Sequence, residues 1–330
     1  MIPMNRYLLL LLLLIALPLL YHYGPVRATA PETEADSPGA AETEARASLP
    51  PYDLTDVRYT QADSARVVQL LGLPHSPTPQ QDVLMLARRF LGVPYVGGTL
   101  EKGGPGEDSL VVNLHQLDCT TLVETVIALA ITRHAGEKDF GSYCRHLESV
   151  RYREGRREGY LSRLHYFTWW VHDHMARRQL VETSRSKHST APLVVNNYYM
   201  SRFPDKYPSL AGRPTRIDSV ARLERAENGP DGHYLPQSST LLPRAELSGI
   251  DDGDIVAIVT KKAGLDYSHI GFAVWGKDGH LHLLNASSLH HKVVEEPKTL
   301  FRYLQEHPSS IGIRTWRWQF AETRSVESHR

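Results

Sequence analysis

Leu122, Val123, Val126, Ile127 and Leu129 leave little room for a polar face on the segment that follows Leu117-Asp118-Cys119-Thr120-Thr121, which predicts a helix buried on all sides. Asp118 is a good N-cap for it, with Thr121 an alternative start. Far downstream the period changes from helical to strand-like. Ile255 to Thr260, His269 to Trp275 and His280 to Ala286 are β-branched or alternating runs separated by Gly- and Asp-containing turns, and Ile311 to Trp318 reads as a last strand. Gly276-Lys277-Asp278-Gly279 signals a hairpin turn between two of them. A deeply buried helix followed by antiparallel strands predicts an α+β class.

Upstream of the buried helix, Ala62 to Leu71 predicts a short helix with Val67, Val68, Leu70 and Leu71 inward, closed by Gly72 and Pro74. Asp82 to Leu91 predicts a stronger one, with Val83, Leu84, Leu86, Ala87 and Phe90 at helical spacing. A glycine-rich loop, Gly97 to Gly106, leads to a short strand expected at Leu110 to Leu114. Residues 151–250 are less regular and rich in Tyr, Trp, Arg and His, and are expected to form mixed helices and loops that wrap the core.

The N-terminus reads as an address. The apolar run Tyr7 to Leu20 is shorter than the roughly 17–25 residues a spanning helix needs and suits a signal peptide. Ala28-Thr29-Ala30 is a cleavage site of the small-x-small kind, so residues 1–30 are expected to be removed. An uncleaved anchor is the competing reading, because Tyr21-His22-Tyr23 separates the run from that site. Either way the remainder is expected in the periplasm or outside the cell. Residues 31–51, with Glu32, Glu34, Asp36, Glu42 and Glu44 among Ala, Thr, Ser and Pro, predict a disordered acidic linker. A single domain is expected over 52–330. The balance of 37 Lys and Arg against 37 Asp and Glu lacks the basic excess that nucleic acid demands, so no such partner is expected.

Cys119 is the first chemical candidate. A thiol at a helix N-terminus meets the positive end of the macrodipole, which predicts a lowered pKa. An isolated cysteine is more often a buried structural residue, so a base must be found. His269 opens a strand in Asp266-Tyr267-Ser268-His269-Ile270-Gly271-Phe272, with small Gly271 following it on the same face. With 17 histidines in the chain, what singles it out is a hairpin whose other arm carries Asn285 in the apolar run His282 to Ser287. Side chains alternate across a strand, so His269 and Asn285 share a face only if the loop has an odd residue count. A three-residue loop, Lys277 to Gly279 with Gly279 left-handed, places Asn285 opposite Gly271 and diagonal to His269. There the amide can hold the imidazole as the third member of a Cys–His–polar triad. An even loop without a bulge would break the arrangement.

Leu91-Gly92-Val93-Pro94-Tyr95-Val96-Gly97-Gly98, Asp118-Cys119, Gly253-Asp254-Ile255-Val256, His269-Ile270-Gly271 and Asn285-Ala286-Ser287 occur in an order that resembles the NlpC-type papain-like cell-wall amidases. The resemblance implies a papain-like core: Cys119 at a helix N-terminus as nucleophile, an antiparallel sheet carrying His269 as base, and Asn285 orienting it. Thr120-Thr121-Leu122-Val123-Glu124 replaces the family's common Ser-Gly-Leu, and a large insertion, about residues 135–249, separates helix from sheet. The insertion holds Tyr152-Arg153-Glu154-Gly155, Ser162-Arg163-Leu164-His165-Tyr166, Asn197-Tyr198-Tyr199-Met200 and Pro204-Asp205-Lys206-Tyr207-Pro208. Together these are similar to the N-acetylmuramoyl-L-alanine amidase-like branch. That branch implies hydrolysis of the lactyl–L-Ala amide of peptidoglycan fragments (muropeptides) with no metal or organic cofactor required; separately, a monomer is expected. Tyr95, Asp118, Arg163, His165 and Tyr166 are then the expected substrate-contacting residues, although Arg163 could equally form an internal ion pair.

Three other readings compete. Plain NlpC enzymes cut the γ-D-Glu–diaminopimelate bond instead. His172-Asp173-His174, His280-Leu281-His282 and His290-His291 are the kinds of pairs that bind zinc, but i and i+2 on a helix point apart and no His-Glu-x-x-His is present. A binding module retaining the fold without turnover is the third. Cys144 could form a disulfide with Cys119 in an oxidising compartment, but a nucleophile requires it to stay unpaired.

Overall fold

The computed structural model describes residues 50–101 and 109–320. The expected leader and nearly all of the expected linker, together with residues 102–106 of the glycine-rich loop, lie outside the described residues. The segment from Pro51 onward forms one compact unit.

Ten strands are described: β1 (Val57–Arg58), β2 (Leu110–Val111), β3 (Leu180–Glu182), β4 (Ala191–Val195), β5 (Gly229–Pro236), β6 (Ile255–Thr260), β7 (Tyr267–Trp275), β8 (Leu281–Ser287), β9 (Lys292–Glu295) and β10 (Ser310–Trp318). The helices are α1 (Gln61–Leu71), α2 (Pro79–Arg88), α3 (Cys119–His134), α4 (Phe140–Arg151), α5 (Phe167–Ala176), α6 (Tyr199–Arg202), α7 (Pro214–Ala226) and α8 (Leu300–Gln305). The class is α+β. An eight-stranded sheet runs β4-β5-β10-β6-β7-β8-β9, with β3 also paired to β10, while β1 and β2 form a small parallel pair.

Helix α3 is the axis of the fold. The Asp118 carboxylate accepts the Thr121 N–H at 2.8 Å, and the Thr121 hydroxyl oxygen accepts the Asp118 N–H at 2.9 Å, which closes a capping box and starts the helix at Cys119. Its far end is stopped by Gly136, whose φ of 75° is left-handed and whose N–H donates to the Arg133 carbonyl. Leu122, Val123, Val126 and Ile127 are all but inaccessible and share a core with Phe272, Leu284 and Ala286 of the sheet. Each such side chain contributes roughly 1.5–3 kcal/mol relative to exposure, so the helix can stand only inside the protein.

The sheet is buried on both faces at its centre. Ile255, Ala257 and Val259 of β6 point into the core that contains α3, whereas Val256 and Ile258 point into a second core with Leu300 and Leu304 of α8. Double burial is why β6 reads as an uninterrupted apolar run with no polar alternation.

Four expectations need correction. Helix α2 begins at Pro79 rather than Asp82, because Thr78 caps it and proline suits a first turn. Val68 is 47% exposed, since only Val67, Leu70 and Leu71 lie on the stripe that faces the core. The strand expected over 110–114 is only Leu110–Val111. The insertion does more than wrap the core, for it supplies β3, β4 and β5, which pair with one another or with β10 and extend the sheet. Its strand periods are too short, and too broken by Pro192, Pro230 and Gly232, to stand out in sequence.

Candidate active site

Cys119 is the first residue of α3, so its position is set by the Asp118 cap. The preceding Leu117 is held by a loop in which Tyr95 bridges Leu117 and the Val96 N–H donates to its carbonyl at 3.0 Å. The Ile270 N–H, one residue past His269, lies near enough to the sulfur to favour its ionised form, and Thr120 and Ile270 line one cavity, so helix terminus and strand β7 meet beside the thiol. Cys119 and the buried Cys144 are both free thiols.

The thiol pKa departs from the sequence expectation. Burial, and secondly the charge of Asp118, push it up to about 11, and the hydrogen bonds from Ile270 and Thr120 only partly offset this. Helix polarity is the smaller effect once the sulfur leaves water and a carboxylate caps the same terminus. Burial also holds the His269 imidazole below the usual histidine range, against the opposing influence of Asn285, Glu296 and Asp118. Both shifts favour a neutral thiol and a neutral imidazole over an ion pair.

The β7–β8 hairpin delivers the imidazole and the amide together. Trp275 pairs with Leu281, the Gly276 N–H donates to the His280 carbonyl at 2.9 Å, and Gly279 has φ of 78°. The loop is therefore the three-residue one, Lys277 to Gly279. The ladder Phe272↔Leu284 continues to Gly271 opposite Asn285, and His269 Nε2 lies 2.8 Å from Asn285 Oδ1. A register shift against β6 adds Ser268 as an extra residue just before His269, and such a bulge re-aims the side chain beside it. Asn285 is wholly buried, and its Nδ2 donates to Glu296 Oε1 at 3.1 Å. The Tyr303 ring of α8 is stacked 6.5 Å from the imidazole.

The residues expected to contact substrate separate into groups. The Tyr95 hydroxyl is pushed up to about 12, first by burial and then by the charges of Cys119 and Asp118, and Tyr95 and Cys119 pack against the same core. Asp118 is the helix cap, with Oδ1 accepting both the N–H and the hydroxyl of Thr121. His165 borders a cavity of about 20 Å³ together with Thr120, Ile270, Glu124 and Trp170, next to the cysteine, while its Nε2 meets the Tyr160 carbonyl at 2.8 Å. Arg163 is 5% exposed and ion-paired with Glu101, the internal alternative allowed by the sequence. Tyr166 is 4% exposed, its hydroxyl donating to Glu224 at 2.7 Å and accepting the Met200 N–H at 3.0 Å. For Tyr166 the expected substrate contact gives way to an internal one, because ring and hydroxyl are both enclosed in the insertion.

The histidine pairs do not converge. His172 bonds to Glu227 and Asp231, whereas His174 is buried against Gln179 and the Val150 carbonyl. His282 meets Asp278 and the Glu296 carbonyl, and His290 meets the Glu296 carboxylate. The metal-capable atoms of His75, Asp82 and His134 lie within 4.8 Å of one another, but Arg133 donates to both Asp82 oxygens at 3.2 and 3.3 Å and already supplies the positive charge there.

Sequence reasoning missed Glu296, Tyr303 and the Ile270 N–H. Glu295 and Glu296 are adjacent and alike in sequence, yet the first meets Arg88 at the surface and the second is 3% exposed behind Asn285. Leu300, Tyr303 and Leu304 stand at i, i+3 and i+4, a helical signal that could have been read. Among the described residues no helix is long and apolar enough to cross a membrane.

A family described as N-acetylmuramoyl-L-alanine amidase-like matches residues 85–313. The fold is similar to the crystal structure of an N-acetylmuramoyl-L-alanine amidase from Bacteroides uniformis, with 35% identity, coverage of 73% of this chain and 99% of that one, and a TM-score of 0.67. A Bacteroides fragilis protein provisionally named a xylanase is 37% identical, with 71% of this chain and 99% of that one covered and a TM-score of 0.65. A Legionella pneumophila protein at 22% identity, with 78% and 95% covered and a TM-score of 0.60, shares the fold. No match was found among curated proteins. With the family match extending over residues 85–313 and the Bacteroides uniformis structure covered almost end to end, the chain belongs to the N-acetylmuramoyl-L-alanine amidase-like family.

Proposed function

We propose that the chain is a cysteine amidase that hydrolyses the bond between the lactyl group of N-acetylmuramic acid and L-Ala in muropeptides, working as a monomer on a papain-like core of the NlpC type. The leader would export it to the periplasm or beyond. The reading rests chiefly on one juxtaposition: Ile270, next to His269, borders the same small cavity as Thr120, next to Cys119, and His269 Nε2 lies 2.8 Å from Asn285 Oδ1. Family membership supplies the substrate class.

In this mechanism the neutral His269 takes the thiol proton as Cys119 attacks the lactyl carbonyl, which removes the need for a resting thiolate. The Cys119 N–H at the start of α3 would hold the oxyanion. The imidazolium then protonates the alanine nitrogen, the C–N bond breaks, and the peptide leaves with a free amine. Water attacks the thioester, giving its proton to the again neutral His269, which returns it to the departing sulfur. The products are a muramic acid carboxylate and the stem peptide. No step uses a metal.

The test is incubation of muropeptides with the purified protein, followed by mass spectrometry. Free stem peptide is the expected product, with EDTA leaving the rate unchanged and Cys119→Ala lowering it by at least about 10⁴-fold. Release of a diaminopimelate-containing fragment would assign the endopeptidase bond instead, and intact muropeptide would leave only a binding role.

A further inference from the structure

A buried carboxylate lies directly behind the Asn285 amide, in a position the sequence did not single out. Glu296 is 3% exposed, immediately after β9, and held in place by its own N–H donating to the Leu283 carbonyl at 2.8 Å. One oxygen accepts from Asn285 Nδ2 at 3.1 Å, and the other lies 3.2 Å from His290 Nε2. An amide side chain can present either its oxygen or its nitrogen to a neighbour, and the two orientations fill almost the same space. A carboxylate offers only acceptors, so it can bond to Nδ2 alone.

We propose that Glu296 is a positioning residue that locks the Asn285 amide with Oδ1 toward His269, thereby holding the imidazole in the Nε2–H tautomer. The inference rests on the hydrolase reading above and gives it a reason for the correct tautomer. With the proton on Nε2 and donated to Asn285, Nδ1 is the nitrogen that remains basic. Were Asn285 reversed, its Nδ2 would donate to Nε2, the ring proton would move to Nδ1, and the base would be lost. His290 donates to the second Glu296 oxygen and keeps the carboxylate from turning away.

The prediction separates orientation from mere packing. In Glu296→Gln the frame becomes reversible, since a glutamine can also donate to Asn285 Oδ1, and kcat falls by about 10-fold with KM unchanged. In Asn285→Asp two carboxyl groups face each other, and kcat falls by about 100-fold or more. The double variant Asn285→Asp with Glu296→Gln restores one acceptor toward His269 and one donor behind it. It should therefore recover at least about 10-fold over Asn285→Asp alone, a coupling that additive structural damage cannot produce. Imidazole ¹⁵N NMR at neutral pH adds a readout independent of turnover: His269 should be Nε2-protonated in the wild type and mixed in Glu296→Gln.

No recovery in the double variant, or an unchanged His269 tautomer in Glu296→Gln, overturns the positioning role. If Cys119→Ala is inactive in the same assays, the hydrolase reading survives that failure. A fully active Cys119→Ala overturns both.

Discussion

A Cβ on Gly271 would sit 2.4 Å from the carbonyl oxygen of Leu284, so β7 and β8 approach each other more closely there than any other residue would permit. The same atom would lie 3.1 Å from the Asn285 Cβ. The glycine thus sets the separation of the two strands that bring His269 and Asn285 together. Gly271→Ala is expected to lower stability by about 1–3 kcal/mol through overpacking. It should also weaken the His269–Asn285 hydrogen bond. Denaturant unfolding and muropeptide turnover check the two effects, and a variant with wild-type stability and rate would show that the close approach is dispensable.

The resting thiol should be slow to alkylate at neutral pH. Its pKa is pushed up to about 11, so the thiolate fraction rises with pH throughout the range from neutrality to that value. Iodoacetamide modification of Cys119 in the ligand-free protein, followed by mass spectrometry, should accelerate accordingly. Rapid, pH-independent modification near neutrality would indicate a preformed thiolate–imidazolium pair instead.

Turnover has the opposite limb. In the proposed mechanism His269 is a base only when neutral, and burial holds its pKa below the ordinary histidine value of about 6.5. A depressed pKa keeps the ring neutral to lower pH, so kcat/KM should fall only as pH drops below about 6.5. An acid limb centred above that value contradicts the burial argument.

Helix α3 carries Glu124, which Arg151 meets at 2.7 Å with both side chains 2% exposed. Arg151→Met removes one partner and strands a buried carboxylate, so it should destabilise the fold by about 3–5 kcal/mol. Removing both charges, as Arg151→Met with Glu124→Gln, should cost clearly less. Thermal or chemical unfolding of the two variants and the remaining single variant closes the cycle, and equal losses for single and double variants would refute the pairing account.

The insertion carries a pH-sensitive contact of its own. His172, bonded to Asp231 and Glu227, has its pKa raised to about 9. A raised pKa contributes stability that is fully present below the unfolded value of about 6.5 and is lost as pH climbs from there toward 9. The ring is half-exposed, so solvent screening keeps the contribution modest. His172→Gln should flatten the decline in Tm across that window, and an unaltered slope would place the decline elsewhere.

Much of the site was legible because it depends on local rules. Asp118 followed by Cys119 and an apolar helix specifies a cap and a terminus, and an odd hairpin loop specifies which side chains share a face. Other features depend on packing across long sequence distances. Arg163 and Tyr166 carry groups suited to a substrate in sequence, yet Glu101 and Glu224 take those groups inside the fold. The direction of the Cys119 pKa was misjudged for the same reason, since helix polarity is local whereas desolvation depends on what covers the sulfur.

Taken alone, the amino-acid order determined the α+β class, the buried helix headed by Cys119, and the hairpin register that makes His269 and Asn285 neighbours. These follow from capping, periodicity and strand alternation, which act over a few residues. Only the tertiary structure decided that burial raises the thiol pKa, that Glu296 rather than Glu295 lies behind Asn285, and that the insertion lengthens the sheet. Burial, carboxylate orientation and strand pairing arise from contacts among distant segments, and no short stretch of chain contains them.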